Sequence, residues 1–263
     1  MSDGRAQILG CEGELDPALP PHRPGISNES CRDRSTGARF ADAEVVAVGG
    51  APALLDHTLA RAERLGVDER VVVRHAELPE GLEDGGLGAA DLIWSSKAVH
   101  HLGDQQGALD ALAGVLNPGG MLAVAEGGLP MRYLPRDIGI GRPGLQARLD
   151  AAQEHWFEIM RAELPGSAGV VEDWPAMLRR AGLTQVGSFT LLLDLPAPVD
   201  ESARTFLHAH LTRIRETMSE SLDAEDRKTL DVLLDQDAPE GIMSRSDAFL
   251  LSATTVHTGV RPA

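Results

Sequence analysis

The chain has 263 residues, 43% of them hydrophobic, 3% aromatic, and a net charge of -16 at neutral pH. That size suffices for one large core, but the acidic balance disfavours a nucleic-acid partner, which needs a basic surface to release phosphate counterions. No apolar run nears the roughly 20 residues of a membrane span, the N-terminus shows no basic-then-apolar leader, and Cys11 and Cys31 have no ligand cluster around them, so a cytoplasmic protein with free thiols and no metal centre is expected.

In chain order, Ile8-Leu9-Gly10-Cys11-Glu12-Gly13-Glu14 is a short apolar run ending in glycines. Pro17, Pro20, Pro21 and Pro24 then interrupt a stretch without apolar period, so no helix is expected there, and residues 1–40 read as an irregular segment or a degenerate first strand. Regular patterning begins near Ala41. Residues 44–48 form an apolar strand ending at Gly49-Gly50, and Leu54, Leu55, Leu59, Ala62 and Leu65 give the stripe of a helix opened by Pro52 and stopped by Gly66. Val71-Val72-Val73 is a β-branched run, expected to be buried on both faces of a parallel sheet.

Asp91-Leu92-Ile93-Trp94 is a further short strand. It leads through Ser95-Ser96-Lys97 and His100-His101 into a helix started by Gly103-Asp104, with Ala108, Leu109, Leu112, Val115 and Leu116 at helical spacing. Asn117-Pro118-Gly119-Gly120 then predicts a turn into the apolar strand 121–126. Residues 127–169 change to Gly and Pro punctuation around one helix, 145–164, holding Trp156, Phe157 and Met160, which reads as a cap. Beyond it come a helix over 171–181, a strand over 185–195, two helices within 200–234 broken where Asp223 caps the second, and a last strand over 248–257. Alternating strands and helices imply a mostly parallel sheet with helices on both faces. His208, His210, Arg213 and Arg215 read as the solvated face of a long helix.

The strand, Ser-Ser-Lys, His-His, helix, Asn-Pro-Gly-Gly, strand order over residues 91–126 resembles the second half of a class I S-adenosylmethionine-dependent methyltransferase of the small-molecule type. The resemblance implies a Rossmann-like α/β fold with a mostly parallel seven-stranded sheet whose first strand and helix stay open, a domain covering residues 41–263, the last two strands paired antiparallel, and the site at the carboxyl ends of the strands. It also implies S-adenosylmethionine as cofactor and a small-molecule acceptor methylated by direct displacement. In such a site the protein mainly supplies alignment and desolvation.

By the same resemblance, Ser95, Ser96 and Lys97 contact the donor, Glu77 between Ala76 and Leu78 binds the adenine amino group, and Gly10 and Gly13 stand for the glycine-rich loop after the first strand. That loop lacks its usual acidic residue, and at the end of the second strand, where a carboxylate holds the ribose, Gly49 and Gly50 stand instead, with Asp42 or Asp56 as nearby substitutes. His100 and His101 are candidates to take a proton from the acceptor. Glu126 and Trp156 are candidates to contact substrate. The eroded first half leaves three alternatives: an unusual donor site, a catalytically inactive relative serving as a binding or interaction protein, or a shifted reading frame upstream of residue 41. A nicotinamide-dependent Rossmann enzyme requires a glycine-rich turn and an acidic residue after the second strand, and this chain shows neither.

Overall fold

The computed structural model describes residues 5–10 through their backbone, and residues 43–76, 81 and 88–263. One seven-stranded sheet has the order β3-β2-β1-β4-β5-β7-β6. Its strands are β1 (Arg5–Gly10), β2 (Glu44–Gly49), β3 (Val71–His75), β4 (Ala90–Ser96), β5 (Leu116–Arg132), β6 (Thr184–Leu195) and β7 (Leu250–Val260). The first five are mutually parallel, and β7 is inserted antiparallel between β5 and β6. The helices are α1 (Pro52–Leu65), α2 (Gln105–Gly114), α3 (Leu145–Glu163), α4 (Trp174–Arg180), α5 (Glu201–Thr217) and α6 (Ala224–Leu234).

Local chemistry explains most boundaries. Pro52 opens α1 and Gly66, at φ 65°, closes it in the left-handed conformation. Asp104, Asp173, Asp200 and Asp223 each accept a hydrogen bond from a main-chain N–H in the first turn of the helix that follows. Arg5–Gly10, the less regular end of the sequence, pairs on both sides, with Ile8 opposite Ala47 and Trp94.

The structure corrects three details. β3 is an edge strand and alternates in exposure, with Val72 45% exposed, so its valines are not buried on both faces. Asn117-Pro118-Gly119-Gly120 lies within the long β5 as an irregularity, because the Gly119 N–H and the Gly120 carbonyl are taken up by Arg261. Ser95 and Ser96 end β4 and do not belong to the loop after it.

Two main cores result. One packs α2 and α4 on the sheet through Ile93, Leu109, Leu112, Leu122, Val124, Met177 and Leu178. The other lies beyond the sheet and joins Tyr133, Leu145 and Leu149 to Leu207, Leu211, Leu230 and Leu233. The helix α3, within residues 127–169, thus shares this core with α5 and α6. The chain just after α3 seats on the β4–α2 connection, where a Cβ at Gly103 would come 2.0 Å from the Pro165 carbonyl oxygen. Among the described residues, no helix is long and apolar enough to cross a membrane.

Candidate functional site

Strand order reverses between β1 and β4, so their carboxyl ends diverge into the crevice where α/β sheets take ligands. Gly10 and Ser96, the last residues of the two strands, are paired in register. Gly49 ends β2 opposite His75, its carbonyl accepting from the Ala76 N–H at 3.2 Å, while the Gly50 carbonyl accepts from His75 Nε2 at 2.8 Å. Small residues thus line this edge and leave the backbone approachable.

The β4 residues divide. Ser95 is fully buried and its Oγ has no hydrogen-bond partner among the described residues. Ser96 is half-buried. Lys97 is exposed at φ 49°, and its N–H is committed to the Ala125 carbonyl at 3.0 Å. Gly13, Glu77, Leu78 and Asp42 lie outside the described residues. Asp56 is exposed on α1. For the adenosyl donor the fit is therefore partial. Gly10, Gly49, Gly50, Ala76 and Ser96 offer small residues and backbone groups, but Gly49 supplies no carboxylate for a ribose.

Directly after β4, Val99–His101 form a short 3-10 turn, and Glu126 organises it. This side chain is only 2% exposed. Its Oε1 accepts from the N–H groups of Ala98 and Val99, both at 3.0 Å, and its Oε2 meets His100 Nδ1 at 2.6 Å. Both oxygens are thus engaged within the protein, so Glu126 shapes the turn and is not an open substrate ligand. Leu122, Val124 and Glu126 alternate onto one face of β5, which explains its burial.

The ring of His100 retains 20% of its side-chain surface and lies 5.5 Å, centroid to centroid, from Phe157 of α3. Burial pushes His101 below the usual imidazole range, and the charges of His100, Arg213 and Arg161 push the same way against Glu126. Arg161, one turn beyond Phe157, donates to the carbonyls of His100, Leu102 and Gly103, and so ties α3 to the turn.

Trp156 packs half-buried against the core shared by α3, α5 and α6, while its neighbour Phe157 faces the histidines. Leu145, Leu149, Ala152 and Trp156 follow one helical stripe, a signal already present in the sequence. The helix α5 is also less solvated than its pattern suggests. His210 packs against Tyr133 and Phe206, His208 Nε2 meets the Leu234 carbonyl, and Arg213 lies close enough to act on His101. Arg215 does face solvent, paired with Asp231. A third histidine stands behind Glu126. His257 stacks on Trp174 and meets Ser188 Oγ at 2.8 Å, and burial lowers its pKa against the main chain and carboxylate of Glu126 and the carboxylate of Asp173. Among the described residues, no group of three or more His, Cys, Asp or Glu is placed to hold a metal ion.

Residues 33–122 match a family model described as a methyltransferase domain, a stretch that begins beyond β1. A protein of Bacillus halodurans assigned to the methyltransferases superposes with a TM-score of 0.50 at 12% identity, over 99% of this chain and 94% of that one. The chain has the class I methyltransferase fold. Two further structures are similar at lower TM-scores. YcgJ of Bacillus subtilis gives 0.45 at 16% identity, over 99% of this chain and 93% of that one. Phosphoethanolamine N-methyltransferase 2 of Haemonchus contortus, solved with phosphomonomethylethanolamine and S-adenosylhomocysteine, gives 0.45 at 15% identity over 100% of this chain. This chain spans 50% of the Haemonchus protein's length. None of the curated proteins matches the sequence. At these identities the class I likeness speaks for the fold, and the chemistry has to be argued from the site.

Proposed function

We propose that the chain transfers a methyl group from S-adenosylmethionine to a small-molecule acceptor. The observation that supports this reading is the adjacency of the β1–β4 crevice, edged by Gly10 and Ser96, to the His100–His101 turn that follows β4 directly. The donor, when bound, supplies an activated methyl on a sulfonium, so alignment and exclusion of water are the protein's main tasks. Gly10, Gly13, Gly49, Gly50 and Ala76 would lie along it, Glu77 and Leu78 would take its adenine end, and Ser95, Ser96 and Lys97 would border its reacting end. The β4 side chains would act mostly through the backbone, since Ser95 is buried.

The acceptor would enter beside His100 and His101 and be covered by α3, with Phe157 giving an apolar wall. Arg161 would keep that cover in place through the three carbonyls it holds. One of the histidines would receive the acceptor's proton. Gly49 favours the second reading, a binding or interaction protein that has lost its donor.

Incubation of the full chain with tritiated S-adenosylmethionine and a fractionated extract tests the reading. Label is expected in small molecules. Label confined to protein or nucleic acid would contradict the acceptor class, and no label in any fraction would favour the inactive relative.

A further inference from the structure

We infer that Glu126 is a positioning residue that holds His100 with its proton on Nδ1 and its Nε2 free to act as base, and that the acceptor's nucleophile is accordingly a hydroxyl. The second part rests on the methyl-transfer reading above.

The geometry around Glu126 carries the first part. Oε1 accepts from two main-chain N–H groups at 3.0 Å, and Oε2 lies 2.6 Å from His100 Nδ1, slightly shorter than the usual bond from an N–H to a carboxylate. An ionised carboxylate has no proton to give, so Nδ1 is the donor to Oε2, which leaves the lone pair of the neutral ring on Nε2. The same side chain fixes the turn that carries His100, so ring orientation and tautomer are set together. Glu126 is itself held from behind, where His257 interacts with its main chain and with Ser188.

The base at Nε2 selects among acceptors. A hydroxyl keeps its proton near neutral pH and must lose it as it attacks, so a base at Nε2 accelerates it by about 10²–10⁴-fold. An amine attacks through an existing lone pair and develops positive charge. Arg161 hydrogen-bonds the carbonyls on either side of His101, and Arg213 acts on His101 from α5. The Glu126 carboxylate acts on the turn against these cations, so the choice rests on the base at Nε2, which a hydroxyl needs and an amine with its own lone pair does not. In the step, the acceptor oxygen bonds to the methyl carbon as the carbon–sulfur bond breaks with its electron pair left on sulfur. The hydroxyl proton passes to Nε2, where Glu126 stabilises the imidazolium, and is then lost to solvent.

Two experiments on the full chain test the inference. The first is a two-bond proton–nitrogen correlation spectrum of ¹⁵N-histidine-labelled protein, with His100 assigned by its loss in His100→Gln. Neutral His100 protonated on Nδ1 is expected in the wild type, with the Nε2-protonated form rising in Glu126→Gln; an Nε2-protonated ring in the wild type overturns the positioning role. This readout needs no donor, so it stands apart from calorimetric binding of S-adenosylhomocysteine, whose absence would instead sink the methyl-transfer reading. The second offers tritiated donor with a phenol and with the aniline of the same ring. Label on the phenol oxygen, lowered at least about tenfold by Glu126→Gln, is expected. Label on the aniline alone overturns the hydroxyl assignment.

Discussion

Replacing Arg161 by Ala isolates the contribution of the cap to the site. The guanidinium donates to the carbonyls of His100 at 3.0 Å, of Leu102, and of Gly103 at 3.3 Å. Hydrogen bonds from a charged donor contribute about 1.5–3 kcal/mol each. These groups are only part-buried, and the carbonyls regain water when the side chain is removed. Counting the two shorter bonds at the lower figure and neglecting the third gives a loss of about 3 kcal/mol, or roughly 6–12 °C in Tm for a chain of this size. Urea denaturation would measure it, and hydrogen exchange would locate it, with protection falling in residues 98–104 and along α3 while the β4–β5 ladder keeps its own. Arg161→Lys keeps the charge but not the planar fork, and should recover less than half of the loss. A loss under about 1 kcal/mol, or a Lys variant equal to wild type, would refute the claim that this fork ties cap to turn.

Three other outcomes follow from the same structure. Gly49→Asp places a carboxylate where a ribose is expected, and should tighten S-adenosylhomocysteine binding by about 1.5–3 kcal/mol in calorimetry, roughly tenfold or more. Because His101 and His257 are held below the usual 6.5, the unfolded chain binds more protons between that value and their folded pKa values. Stability should therefore be complete above about pH 6.5 and fall as the pH is lowered through that window. His257→Gln should flatten the acid side of a Tm-against-pH curve. Gly128→Ala should cost at least about 2 kcal/mol in denaturant melts, since Gly128 sits at φ 117° and its Cβ would lie 2.1 Å from the Ala253 carbonyl oxygen.

Much of the α/β alternation was legible because its punctuation is chemical. Pro52, Gly66, Asp104 and Asp223 mark ends where a missing N–H, a left-handed residue or a capping carboxylate is required. The first strand was harder to read, because the proline-rich sequence that follows its six residues carries no helical periodicity to complete the pattern. β1 is defined by its pairing with β2 and β4, a non-local fact that periodicity cannot express. In the site, the histidine pair was visible as a motif, but its partner was misread. Glu126, read as a contact to substrate, is seen to serve the turn once β7 is known to lie alongside it and α2 to pack against that face of the sheet. Phe157 and Arg161 were missed because α3 has two working faces, and only tertiary contact shows which one meets the turn.

The central claim is that the β1–β4 crevice still accepts the methyl donor although Gly49 brings no carboxylate to it. Calorimetric titration of the 263-residue chain with S-adenosylmethionine, and separately with S-adenosylhomocysteine, tests this most directly. The account predicts binding in the micromolar range, about 8 kcal/mol. No heat of binding at millimolar ligand would contradict it and leave the fold as a scaffold without its donor.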